Sequence, residues 1–171
     1  MSAKKGKLKN LIRDYLLDEG ILREKISNPN FEFGFIFSFP PGPKYQMMSV
    51  FKPKNKNFIH IAMRIQLSEN HAKELKALKD NKGLQFFTDI RKYFINKEVY
   101  FKIDINNFIY EIIEQIFLNK EGEISRNYFF KGIQKVFYCF LFSNLLLMEY
   151  CSGKEISTAK FGAEFDFSLY S

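Results

Sequence analysis

Residues 31–39 read Phe31-Glu-Phe-Gly-Phe-Ile-Phe-Ser-Phe39. A ring recurs at every second position. That is the period of a β-strand, so Phe31, Phe33, Phe35, Phe37 and Phe39 are expected on one face. Gly34 marks a bulge or a close approach of backbone on the other face. Pro40-Pro-Gly-Pro43 closes the strand as a rigid hairpin connection, because proline keeps out of a hydrogen-bonded ladder.

The same pattern gives further strands. Residues 45–52 form the second, and Pro53-Lys-Asn-Lys-Asn57 is a turn. Residues 58–67 form the third, with Ile59, Ile61, Met63, Ile65 and Leu67 on one face. His60, Ala62, Arg64 and Gln66 take the other, as in a half-buried antiparallel strand. Three strands joined by short turns make a meander.

Before the meander, Leu8, Leu11, Ile12, Tyr15 and Leu16 recur at helical spacing, which predicts a helix over 7–18. Gly20 ends it. Residues 21–30 read as a connector with a turn at Asn28-Pro29-Asn30. After the meander, Ser68 is placed to cap a helix carrying Ala72, Leu75 and Leu78. Asn81-Lys-Gly83 interrupts that helix, and Phe86, Phe87, Ile90 and Phe94 continue on a second piece.

Val99, Phe101, Ile103 and Ile105 alternate as a fourth strand. Residues 108–118 fit two patterns. Phe108, Ile112 and Ile116 make a helical stripe, while Tyr110, Ile112, Ile116 and Leu118 alternate with Glu114 as the exception. The density of Ile and Phe favours strand. Asn119-Lys-Glu-Gly122 is then a loop, and Ser125 caps a helix over 126–150.

That last helix contains Val136-Phe-Tyr-Cys-Phe-Leu-Phe-Ser-Asn-Leu-Leu-Leu-Met148. A helix apolar on every side must be covered on every side, by a deep core, a subunit interface or both. Phe137, Leu141, Asn144, Leu145 and Met148 are the expected interface residues, with Asn144 able to fix register. Gly153 ends the helix. In the tail, 154–171, Phe165, Phe167 and Leu169 alternate, as in an edge strand or an arm reaching a partner subunit.

The chain has 171 residues, 46% of them hydrophobic, which fits one domain with a substantial core. We expect a single domain over 1–171 with its core in 8–150. It has 21 Phe, 9 Tyr and no Trp. The net charge is +7, which permits attraction to nucleic acid or anionic lipid. Lys44, Lys52, Lys54, Lys56 and Arg64 form an acid-free basic stretch among aromatic residues, the combination that single-strand binding uses. From Glu155 onward the tail is acidic, with Glu155, Glu164 and Asp166 against Lys160.

Catalytic vocabulary is sparse. His60 and His71 are the only histidines, and Cys139 and Cys151 the only cysteines. A structural zinc site needs four converging ligands, and these four are scattered, so no metal is expected. Cys139 sits in the greasy helix, where a thiol is usually inert. Glu111 with Glu114, Glu121 with Glu123, and Glu164 with Asp166 read as surface charge. No phosphate-binding loop or dinucleotide fingerprint occurs, so no cofactor is expected. The 136–148 run is too short to span a bilayer, and no leader pattern opens the chain. A cytoplasmic protein is expected.

The order helix, three strands, helix, two strands, helix resembles the type III secretion chaperone-like fold. Ile12-Arg-Asp-Tyr-Leu-Leu-Asp-Glu-Gly-Ile-Leu22 and Phe31-Glu-Phe-Gly-Phe35 are similar to an uncharacterised archaeal family placed in that fold. So are Phe51-Lys-Pro53, Phe58-Ile-His-Ile61 and Leu67-Ser-Glu-Asn-His71. The resemblance implies a two-layer α+β domain with helices packed on one face of an antiparallel sheet. It also implies pairing into dimers and binding of partner polypeptides, and it brings no catalytic residues. The expected function is therefore a non-enzymatic interaction module using a sheet edge or an apolar groove. The alternatives are a nucleic-acid-binding protein using the basic 44–64 meander, and a small enzyme whose site the sequence does not show.

Overall fold

The computed structural model describes residues 2–152. Among these residues, four helices and six strands run in chain order. They are α1 (Ser2–Asp18), β1 (Leu22–Lys25), β2 (Phe31–Phe39), β3 (Gln46–Pro53), β4 (Phe58–Gln66), α2 (Glu69–Ala77), α3 (Lys82–Asn96), β5 (Tyr100–Asp104), β6 (Ile109–Phe117) and α4 (Arg126–Ser152). The strands form one antiparallel sheet in the order β1-β2-β3-β4-β6-β5. The α+β architecture and the order of the elements match the sequence reading. Tail residues Phe165 and Phe167 lie outside the described residues.

The strands are cut by chemistry visible in the chain. Segment 109–117 is β6, paired along its whole length with β4, from Phe58 opposite Phe117 to Gln66 opposite Ile109. Its alternation sends Tyr110, Ile112 and Ile116 into the core. Glu114, the exception in that pattern, also faces the helices. There Lys135 of α4 meets it, with Nζ 2.9 Å from Oε2.

Helix ends are satisfied as the sequence predicts. Ser68 accepts from the His71 N–H at 3.2 Å and Ser125 from the Tyr128 N–H at 3.3 Å. Gly20, at φ +67°, closes α1: its own N–H reaches Leu17 O and that of Ile21 reaches Leu16 O.

The core lies between one sheet face and the helices. Phe33, Phe35, Phe37 and Phe39 of β2, Met48 and Val50 of β3, and Ile59, Ile61 and Met63 of β4 are all buried there. Helix α4 crosses β4 and β6. At Gly132 it comes so close that an added Cβ would sit 2.5 Å from Ile116 Cδ1 and 3.0 Å from Ile61 Cδ1. A larger residue there would have to push those two side-chain ends aside.

Two expectations are corrected. Residues 22–25 are not a connector but the edge strand β1, paired with β2. Phe31 does not share a face with the other four rings. The pairing of β2 with β3 slips between Phe31 and Phe33, and the irregularity turns Phe31 to the opposite side, against Phe51.

Candidate functional site

Among the described residues, the other face of the sheet carries no helix. Its side chains come from the outward positions of each strand. On β3 the inward residues are Met48 and Val50, so Phe51 points outward. On β4 the inward residues are Ile59 and Ile61, so Phe58 and His60 point outward. Phe117 follows inward Ile116 on β6. Register then places these residues, distant in sequence, side by side: Gly34 opposite Phe51, Phe51 opposite His60, His60 opposite Gln115, and Phe58 opposite Phe117.

The result is a continuous row of rings. Phe31 stacks on Phe51 with centroids 4.4 Å apart. Phe51 meets His60 edge-on at 5.3 Å. His60 stacks on Phe58 at 4.9 Å, and Phe58 meets Phe117 edge-on at 5.8 Å. Phe31, Phe51, Phe58 and His60 are half-buried by one another, whereas Phe117 is 65% exposed. The geometries are the offset and edge-to-face contacts that aromatic pairs favour.

His60 is held in the row by a 3.0 Å hydrogen bond between Nε2 and Gln115 Oε1. At Gly34 an added Cβ would sit 3.0 Å from Ile26 Cβ and 3.3 Å from Phe51 Cβ, so the glycine admits the segment that closes the row beside β2.

The five basic residues singled out in the sequence do not gather on this face. Lys54 and Lys56 are exposed on the turn joining Phe51 to Phe58, beside the rings. Lys52 is only 8% exposed and points to the helix side. Its Nζ lies 3.0 Å from Glu32 Oε1 and donates to Lys56 O at 2.6 Å. Lys44 sits on the β2–β3 connection, at the opposite end of the meander. Arg64 is opposite Glu111, near Lys102 and Asp104, away from the rings.

The expected interface residues divide in a similar way. Phe137 and Leu141 are buried within the chain itself, Phe137 edge-on to Phe39 at 5.2 Å. Asn144, Leu145 and Met148 remain half-buried on α4. The apolar helix is thus covered mainly by its own sheet and by α2 and α3.

The groups able to do chemistry stand apart. His60 is on the uncovered sheet face, and His71 is in the first turn of α2. Burial pushes the Cys139 thiol up to about 11. Burial and then a hydrogen bond to Glu74 push Cys151 up to about 12. Both thiols are therefore protonated near neutral pH, the inert state for a nucleophile. A cleft of about 330 Å³ between α3 and α4 is lined by Tyr93, Lys97, Lys131, Gln134, Lys135, Tyr138 and Cys139, a set without histidine or carboxylate. Among the described residues no group of three or more His, Cys, Asp or Glu side chains could hold a metal ion. No helix among them is long and apolar enough to cross a membrane.

Residues 8–147 match the model of a family described as an uncharacterized conserved protein, DUF2299. The chain belongs to that family. No curated protein matches it. The fold is shared with the crystal structure of an uncharacterized protein from Methanothermobacter thermautotrophicus. The TM-score is 0.74 and the identity 23%, over 84% of this chain and 98% of the other.

Proposed function

We propose that this member of the family is a non-enzymatic interaction module that binds a partner polypeptide on the uncovered sheet face. The observation that carries the reading is the ring row from Phe31 to Phe117. A contiguous apolar patch on a protein surface marks an interaction site, and aromatic side chains supply most of the energy at such sites. Lys54 and Lys56 stand at its border. The chemistry therefore suits an extended segment whose aromatic or aliphatic residues alternate with acids.

The β1 edge is less suited to strand addition. β1 exposes Arg23, Glu24 and Lys25, the charged kind of edge that discourages pairing. The resemblance to secretion chaperones supports the reading, since that wider fold binds partner polypeptides and pairs into dimers. A second copy of the chain is one partner the same face could take, because Phe137 and Leu141 are already used internally.

A second reading rests on the same rings. Aromatic rings at a surface beside lysines also suit single-stranded nucleic acid. It is the weaker of the two. The rings stack on one another, and Lys52 is spent on Glu32.

The test is fluorescence anisotropy with a labelled octapeptide of alternating phenylalanine and aspartate, and with a labelled oligothymidine of similar length. The full-length chain is compared with Phe117→Asp, a change at an exposed position. The reading expects peptide binding that drops by at least tenfold in the variant. Binding of the oligothymidine alone, lost at high salt, would replace it with the second reading.

A further inference from the structure

A second apolar surface lies on the helix layer, where α2 turns into α3. Asp80 and Asn81 adopt φ of +56° and +59°, which bends the chain sharply between the helices. Gly83 then packs so tightly that a Cβ there would lie 2.3 Å from Leu75 O. Leu75, Leu78, Phe87 and Phe108 wall a cleft of about 170 Å³, with Leu84, 53% exposed, at its mouth. Its border is basic. Lys76 lines it, 4.9 Å above the Phe108 ring, and Lys73, Lys79 and Lys82 are exposed nearby.

The last turn of helix α4 lies beside this cleft. Tyr150 donates to Asp89 Oδ2 at 2.7 Å and meets the Phe86 ring at 5.9 Å. Cys151 bonds Glu74. Glu74 and Phe86 are the sequence neighbours of Leu75 and Phe87 in the cleft wall.

The chain beyond Ser152 has the complementary chemistry. Residues 161–167 read Phe161-Gly-Ala-Glu-Phe-Asp-Phe167, with Phe165 set between two acids. From 152 to 165 the chain spans up to about 40 Å when extended, ample for a return to α2 and α3. This segment lies beyond residues 8–147, the part that matches the family. It therefore adds to the shared domain.

We propose that the C-terminal segment folds back on its own domain and seats Phe165 in the α2–α3 cleft, with Glu164 and Asp166 against the lysines at its border. The ring removes apolar surface from water, and the flanking acids set which residue enters. The cleft so filled is a self-occupied docking site, closed to outside segments of the same aromatic and acidic pattern. This docking rests on the helix layer and the tail, and does not depend on the sheet face.

The absence of tryptophan makes a direct test available. Full-length chains carrying Phe165→Trp, or Phe161→Trp as a second reporter, each hold one indole. Emission maximum and acrylamide quenching report its surroundings. The proposal expects blue-shifted emission at position 165 and quenching several-fold slower than for free tryptophan, unchanged on dilution. Adding Leu84→Lys, or Lys76→Glu with Lys79→Glu, should restore the solvent values while the far-ultraviolet circular dichroism stays the same. Solvent-like emission at both reporter positions overturns the proposal. So does a shielded indole that ignores the cleft substitutions, because it then docks elsewhere. Shielding that disappears on dilution assigns the segment to a second copy and overturns docking on its own domain.

Discussion

The two faces of the sheet are built from neighbouring residues of the same strands and end in opposite states. On β2, Phe37 is sealed under the helices, while Phe31 lies on the open side against Phe51. On β6, Ile116 is buried and Phe117 is 65% exposed. Both faces carry large apolar side chains. One is closed by α4 and its neighbours and holds the fold together. The other is rich in rings, carries no helix among the described residues, and is the surface we propose for recognition. Ring content alone does not separate stability from function; coverage does.

Substitutions on each face should separate the two roles, and the largest effect belongs to the covered side. Phe37→Ala removes a fully buried ring and leaves a cavity, with an expected loss of about 3–5 kcal/mol in chemical unfolding. A loss below about 1 kcal/mol would place the ring outside the core.

A smaller effect is expected at the buried hydroxyl pair between sheet and helix. Ser143 donates to Phe140 O at 2.8 Å, so the 2.7 Å contact with Tyr110 is a bond that the Tyr110 hydroxyl donates. Tyr110→Phe should cost about 1 kcal/mol at neutral pH. The same pair predicts a pH effect. Burial pushes Tyr110 up to about 12 from 10.0. The native state therefore holds its proton longer than the unfolded chain does. Stability from this group is complete below about pH 10 and is lost as pH rises toward 12. Melting temperatures from pH 9 to 11 should fall more steeply in the parent than in Tyr110→Phe; parallel curves would contradict the assignment.

The smallest stability effect belongs to the uncovered face. Phe117→Ser should change stability by no more than about 0.5 kcal/mol, as for other exposed positions. It should nevertheless weaken peptide binding. A large destabilisation would show that the ring row serves the fold and not a partner.

Much of the covered face was legible in the sequence, because alternation and helical spacing are local signals. Segments 58–67 and 126–150 read correctly, and 108–118 resolved as strand through its Ile and Phe density. Edge strand β1 was hidden, since Leu-Arg-Glu-Lys has no alternation and its pairing comes entirely from β2. The turn-out of Phe31 was hidden too, because a slip of register leaves no mark in a run of alternating rings. The ring row is assembled from four segments, and only long-range register brings them together. A partial signal did exist. With Met48 and Val50 inward, the parity of β3 sends Lys52 inward and Phe51 outward, and the same parity on β6 exposes Phe117.

The claim that the uncovered face is the working one is tested most directly by site-specific photo-crosslinking. Benzoylphenylalanine replaces Phe117 on the open face in one full-length chain, and Tyr128 on the helix side in another. Both positions are exposed, at 65% and 55%. Irradiation with the alternating phenylalanine–aspartate octapeptide should give adducts from position 117 and essentially none from 128. Equal labelling at both positions, or labelling from 128 alone, would contradict the account.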